Sequence, residues 1–326
     1  MLLVTGCSSS DVSAPVKVVI PRGSTVRAVA DSLESAGVVG SSRMFRWYAS
    51  VAGRDRAIKA GTYQINKGES WSNVLDALVS GRAQERTLTI PEGFDLRAIN
   101  PAIAKALDVP IDSVRAAVAD TMWIARLQIP VGSLEGYLFP DTYTFPSSTT
   151  AREAIRMMVE RFLEVWKPEW DARLQAMAIS RHDAVTMASI VEKEARVAAE
   201  RPIIAAVYWN RLKAPMRLQA DPTVQYALPE HVERVMYKDL EVDSRYNTYR
   251  NDGLPPGPIA SPGAASIDAA LNPAPVSYLF FVAHPDGHHE FRNTFAEHQK
   301  AIAMVRKAAT PPKPAADQRR PAARPK

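Results

Sequence analysis

Three short words, Ile20-Pro-Arg-Gly23, Ile65-Asn-Lys-Gly68 and Ile90-Pro-Glu-Gly93, constrain the first third of this chain more than anything else in it. Each closes a short apolar run (16–20, 62–65 and 87–90), and after each glycine apolar residues recur three, six and ten positions on. They are Val26, Val29 and Leu33; Trp71, Val74 and Leu78; Leu96, Ile99 and Ile103. Helical spacing after a strand-like run predicts strand, glycine turn and amphipathic helix as one unit used three times. Glu69-Ser70 marks the start of the second helix and Gly81 its end. In the third, Pro101 is expected to break or kink the helix.

Farther along, residues 106–128 read as a helical connection, followed by an aromatic segment, Leu134-Glu-Gly-Tyr-Leu-Phe-Pro-Asp-Thr-Tyr143, which carries Glu135 and Asp141. Residues 151–166 and 170–177 have amphipathic helical patterns. Asp183 is the expected N-cap of the next helix, and Pro202 suits the first turn of the one after it. From Met216 the chain turns to polar and aromatic loops. Pro255, Pro256 and Pro258 stiffen one of them into an extended run suited to walling a groove. A helix over 264–271 and a hairpin, 278–283 with 289–291 about Asp286-Gly287, complete the pattern, and beyond Lys307 the Pro/Ala/Arg composition predicts disorder.

A chain of 326 residues can build two domains with real cores. Its net charge of +5 looks like a nucleic-acid signal, but Lys313, Arg319, Arg320, Arg324 and Lys326 against Asp317 place +4 of it in the tail. The body is nearly neutral, so no nucleic-acid partner is expected. One cysteine, Cys7, excludes internal disulfides and cysteine metal clusters. Glycine-rich phosphate loops, dinucleotide fingerprints and nucleophile elbows are missing, so no cofactor is expected. His284, His288 and His289 surround a turn without an acidic partner at ligand spacing, and no metal is expected either; His289 is read as support for the fold or groove wall.

Carboxylate chemistry is left. At 100° per residue Met187, Ile190, Val191, Glu194 and Ala198 share one apolar stripe, whereas Glu192 falls about 160° from Glu194, on the expected solvent side. A carboxylate on a core face is costly unless paired or protonated. Glu194 is therefore either an ion-pair partner of Arg201, Arg211 or Arg217, or an acid kept neutral for proton donation. Burial can raise a glutamate from about 4.3 by roughly two units, the tuning a general acid needs near neutral pH.

Several longer words occur in order: Lys59-Ala-Gly-Thr-Tyr63, Glu135-Gly-Tyr-Leu-Phe-Pro-Asp-Thr142, Ala188-Ser-Ile-Val-Glu-Lys-Glu194, Asn210-Arg-Leu, Arg217-Leu-Gln-Ala-Asp-Pro-Thr223, Tyr246-Asn-Thr-Tyr249, Gly253-Leu-Pro-Pro-Gly-Pro-Ile-Ala260 and Tyr278-Leu-Phe-Phe-Val-Ala283. Together they resemble the endolytic murein transglycosylases of the YceG-like family over residues 16–305. Ile190-Val-Glu-Lys-Glu194 also looks like the Ile-x-x-x-Glu signature of lysozyme-like lytic transglycosylases, which implies Glu194 as the catalytic acid. Ala195 departs from that pattern, standing where a Ser or Thr usually follows.

The resemblance implies an α+β chain, with N-terminal LysM-like strand–helix repeats (15–86) ahead of a lysozyme-like, mainly helical catalytic domain with a small β-hairpin (87–308). A basic Pro/Ala tail (309–326) follows. Residues 1–14, in which Val4-Thr5-Gly6-Cys7 resembles a lipobox, are expected to be a truncated membrane anchor or signal remnant. The implied reaction cleaves the β-1,4 bond between N-acetylmuramic acid and N-acetylglucosamine inside glycan strands. A lysozyme-type hydrolase and a non-catalytic wall-binding scaffold are the alternatives. Substrate contacts are expected from Gln219, Asp221, Thr223, Tyr226, Asn247 and Tyr249, with Glu135 as the second carboxylate. The expected setting is the bacterial inner membrane, with a single N-terminal anchor and the catalytic domain in the periplasm. The expected partners there are glycan strands of peptidoglycan and the glycan-polymerising synthases (penicillin-binding proteins).

Overall fold

The computed structural model describes residues 15–81, 85–146, 149–230 and 232–309. The lipobox-like residues and residues 310–326 of the basic tail lie outside them. The protein is mixed helix and strand, and it divides into two compact units that part between Trp166 and Lys167. Among the described residues no helix is long and apolar enough to cross a membrane.

The first unit opens with β1 (Val16–Ile20), α1 (Val26–Ser35), α2 (Ser42–Val51), β2 (Gly61–Ile65) and α3 (Trp71–Ser80). β1 and β2 pair antiparallel, with Val18 opposite Tyr63. Val18, Ile20, Val29, Leu33, Phe45, Tyr63, Ile65, Val74, Leu75 and Leu78 close one core beneath that pair. β3 (Glu85–Thr89), α4 (Leu96–Leu107), α5 (Ile111–Val118), α6 (Thr121–Arg126), β4 (Thr142–Pro146) and α7 (Ala151–Val165) complete the unit.

The repeat is real at the level of the turn. Gly23, Gly68 and Gly93 have φ of 75, 77 and 78°, a left-handed conformation that only glycine adopts cheaply. Two residues after each, Thr25, Ser70 and Asp95 cap α1, α3 and α4 through their side chains. Gly81, also left-handed, ends α3 as expected. The strand partners are not repeated. β1 and β2 satisfy each other, so β3 takes β4, with Leu88 opposite Tyr143. That long-range pair ties the aromatic segment to the first unit.

Pro101 does not break its helix: α4 runs through it. The proline removes a single backbone bond, while Ile99, Ile103 and Leu107 remain buried on one side. The N-terminus of α4 is held further by Glu135, whose two carboxylate oxygens accept from Leu96 N–H at 3.2 and 3.1 Å. Asp141 is likewise engaged, accepting from Thr142 N–H at 2.8 Å and Arg161 Nε at 2.8 Å, which holds its pKa below the usual range.

The second unit is built on α8 (Pro168–Met177), α9 (Arg181–Glu194), α10 (Arg201–Lys213), α11 (Asp221–Ala227) and α12 (Ala264–Leu271). The hairpin of β5 (Phe280–Ala283) and β6 (His289–Arg292) pairs Phe281 with Phe291, and α13 (Phe295–Ala309) follows. Helix α9 is capped by Ser180, not Asp183; Asp183 takes the third position and bonds back to the Ser180 N–H at 2.9 Å, closing a capping box.

Two expectations for α9 fail together. Its residues from Ala184 to Val191 are all buried, so it is a core helix enclosed on every side, not an amphipathic one. Glu192 therefore does not face solvent. It pairs with Arg201 at 3.5 Å and accepts from Gly263 N–H at 3.1 Å. Ala198 lies beyond the helix, in a short 3₁₀ turn. The Pro-rich run packs on α9 instead of standing free as a wall: Ile259 N–H donates to Ser189 Oγ at 3.0 Å, and Pro256 O lies 2.8 Å from His182 Nε2.

Candidate active site

Glu194 is the last residue of α9, where Ala195 caps the helix by donating its N–H to Val191 O at 2.9 Å. A helix C-terminus carries partial negative charge, which disfavours a carboxylate. Across from it, α10 presents Tyr208, itself buried, whose hydroxyl donates to Glu194 Oε1 at 2.8 Å. Burial pushes the Glu194 carboxyl up to about 7; the Asp221 charge adds to the rise, while the Tyr208 bond and the charges of Arg211 and Arg196 oppose it. Burial and the Glu194 charge raise the Tyr208 phenol well above its ordinary value, so it stays a donor.

None of the three arginines considered as ion-pair partners takes that role. Arg201 bonds Glu192 and Ser266, and Arg217 bonds Asp252. Arg211 is buried and donates to the carbonyls of Leu279 at 2.7 Å and Leu218 at 2.5 Å, with its guanidinium 5.3 Å from the Phe280 ring. It lends positive potential to the site without neutralising Glu194. Desolvation lowers its own pKa, with the nearby tyrosines and Glu194 acting against that fall.

The loop residues expected to contact substrate sort into three kinds. Asp221, at the start of α11, and Tyr249 belong to the Glu194 neighbourhood: Tyr249 Oη donates to Asp221 Oδ1 at 2.5 Å, and burial with the Asp221 bond lifts the phenol far above its usual range. Gln219 is exposed, with a left-handed φ of 50°, and Tyr226 packs on Tyr246 at 4.8 Å between ring centroids.

Thr223 and Asn247 are the third kind. Both are buried and spend their polar atoms internally. Thr223 Oγ1 donates to Ala220 O at 2.7 Å and bonds Thr248 Oγ1 at 2.8 Å. Asn247 Nδ2 donates to Leu240 O and Val242 O, while its Oδ1 accepts from Tyr249 N–H at 3.0 Å. A small hydroxyl or amide in a tight loop meets its backbone first. These two residues hold the loop that carries Tyr249. Glu135, a candidate second carboxylate, belongs to the first unit and serves the start of α4.

Tyr208 was not singled out by sequence reasoning. Its signal was available: a phenol inside the apolar run Ile203-Ile-Ala-Ala-Val-Tyr-Trp209 must find a buried partner. Behind it, Phe281 meets the Tyr208 ring edge-on at 5.8 Å and His289 at 5.2 Å, and His289 Nδ1 lies 2.7 Å from Glu200. The hairpin thus buttresses Tyr208. Among the described residues no cluster of three or more His, Cys, Asp or Glu side chains could hold a metal ion.

The chain as a whole has relatives. The chain is 39% identical over 310 residues to the endolytic murein transglycosylase of Bacillus subtilis, covering 89% of this chain and 85% of that one. It is 31% identical to the protein of the same name from Streptococcus pneumoniae serotype 2, covering 88% of this chain but only 58% of that longer protein. A crystal structure of a YceG-like protein from Listeria monocytogenes superposes with a TM-score of 0.61 at 35% identity, over 88% of this chain and 98% of the other. The model of the YceG-like family matches residues 18–304, nearly the whole described chain, and the protein belongs to that family.

Proposed function

We propose that this protein is an endolytic peptidoglycan lytic transglycosylase with Glu194 as its single general acid and base. The observation that supports it most is the Glu194 carboxyl, desolvated at a helix end, raised to about 7 and bonded to a phenol instead of a cation. Such a group is protonated in a large fraction of molecules at neutral pH and can give its proton up. The names of its relatives, endolytic murein transglycosylases, point to the same substrate.

In the proposed reaction Glu194 protonates the glycosidic oxygen between N-acetylmuramic acid and N-acetylglucosamine, and the bond from that oxygen to C1 breaks. The carboxylate then takes the proton of the muramyl 6-hydroxyl as its oxygen bonds C1, giving a 1,6-anhydro end. An internal nucleophile gains an effective molarity on the order of 10⁵ M or more, so no second carboxylate is needed to activate water. Tyr208 orients Oε1, which leaves Oε2 for the proton. Arg211 steadies the carboxylate formed midway, and Asp221, Tyr249, Gln219 and Tyr226 offer polar and aromatic contacts to sugars.

In this reading the first unit's strand–helix repeats are LysM-like and the second unit is lysozyme-like. The protein is held at the inner membrane by an N-terminal anchor, faces the periplasm and works beside glycan-polymerising synthases. One feature favours a second reading, a hydrolase: Asp221 is a carboxylate close enough to act on Glu194 electrostatically. Digestion of isolated glycan strands followed by mass spectrometry separates the two. Anhydro-muramyl ends are expected, and products with only reducing ends would overturn the lytic reading.

A further inference from the structure

Next to Asp221 and Tyr249 the second unit has a recess of about 340 Å³, lined also by Arg234, Met236, Tyr237 and Arg306. Its rim is a built loop. Asp239 accepts from Met236 N–H at 2.8 Å, Asn247 Nδ2 donates to Leu240 O at 2.8 Å and Val242 O at 2.9 Å, and Arg250 Nη1 donates to Glu241 O at 2.6 Å. Yet this fixed loop holds Tyr237 83% and Met236 52% exposed. Two large side chains held out in water beside two exposed arginines do nothing for the core.

We propose that this recess binds the acidic peptide carried by the muramyl sugars of the strand being cut. The inference rests on the glycan reading above. The chemistry matches on three counts. Guanidinium groups pair carboxylates through charged, directional hydrogen bonds, and a muramyl peptide carries several free carboxylates. Tyr237 and the adaptable Met236 offer apolar surface to its alkyl portions. Asp221 and Tyr249, bonded to each other and both within electrostatic reach of Glu194, line the recess, so a peptide seated here would hang from a sugar bound beside Glu194.

Two measurements test it. In the first, wild-type protein and the Arg234→Ala, Arg306→Ala and Tyr237→Ala variants act on glycan strands with their peptides and on strands stripped of them. The ratio of kcat/KM, peptide-bearing over stripped, is expected to fall about tenfold in each arginine variant, as for loss of one charged contact. An unchanged ratio overturns the proposal. In the second, full-length protein carrying Glu194→Gln is titrated with a free muramyl peptide and followed by NMR. Expected is binding that weakens with salt and with either arginine variant. No binding, or equal displacement by inorganic pyrophosphate, overturns the proposal. Because the titration needs no turnover, it decides the recess even if wild-type protein cuts neither strand and the glycan reading fails.

Discussion

The hydroxyl of Tyr208 donates to Glu194 Oε1 at 2.8 Å, across the gap between the end of one core helix and the middle of the next. A phenol so placed stabilises the carboxylate without supplying a charge. The acid stays within reach of neutral pH, whereas an arginine in the same place would have locked it ionised.

Removing the carboxyl as a proton donor should abolish the chemistry and spare the fold. Glu194→Gln is expected to lower kcat by roughly 10³-fold or more, with the unfolding midpoint at pH 7 unchanged or higher. Product release from glycan strands by liquid chromatography and a thermal melt give both readings. Retained cleavage would remove Glu194 from the mechanism.

The same substitution makes a statement about pH. A carboxyl at about 7 in the folded protein and near 4.5 unfolded binds more protons when folded, so the stability it contributes declines as pH rises between those values. Above pH 7 wild-type Glu194 opposes folding by up to about 3 kcal/mol. Glu194→Gln is free of that opposition, so its stability advantage over wild type should grow from pH 5 to pH 8 in urea unfolding. A constant difference across that range would mean the carboxyl is not raised.

Tyr208→Phe separates orientation from acidity. The Tyr208 bond lowers the Glu194 pKa, so without it that pKa moves further up. Activity that needs protonated Glu194 should then fall at a higher pH than in wild type, while kcat at its best pH drops about tenfold from lost positioning. A pH profile of kcat/KM that keeps its midpoint would show that the bond is structural only.

Arg211 should be intolerant of change. Its guanidinium joins Leu218 O to Leu279 O, and Arg211→Met leaves one buried and one half-buried carbonyl short of a donor. Destabilisation of about 3 kcal/mol is expected from denaturant melts, and Arg211→Lys should recover less than half because a single ammonium cannot span both carbonyls.

Glu192 offers the contrasting case. Glu192→Gln keeps the shape but weakens the pair with Arg201, so stability should fall by about 1 to 3 kcal/mol while kcat per folded molecule stays within a few-fold of wild type. A loss of kcat as deep as that of Glu194→Gln would mean that the catalytic glutamate had been misassigned.

The local pattern was strong enough to be read in the chain itself. The three glycine turns, the helix start at Ser70, the stop at Gly81, the helix over 264–271 and the hairpin about Gly287 follow from short-range rules of backbone freedom and periodicity. Glu194 stood out for the same reason, as a charge in an apolar neighbourhood. Only the tertiary structure decided what depends on residues far apart. It paired β3 with β4 instead of a neighbouring repeat, and it buried Glu192 beside Glu194 because α9 is enclosed on all sides. It sent Thr223 and Asn247 inward to hold their loop. It brought Tyr208, fourteen residues on, to the carboxyl. Periodicity reports which residues avoid water, but the partner a buried polar atom finds is set by packing between elements, and no short stretch of sequence contains it.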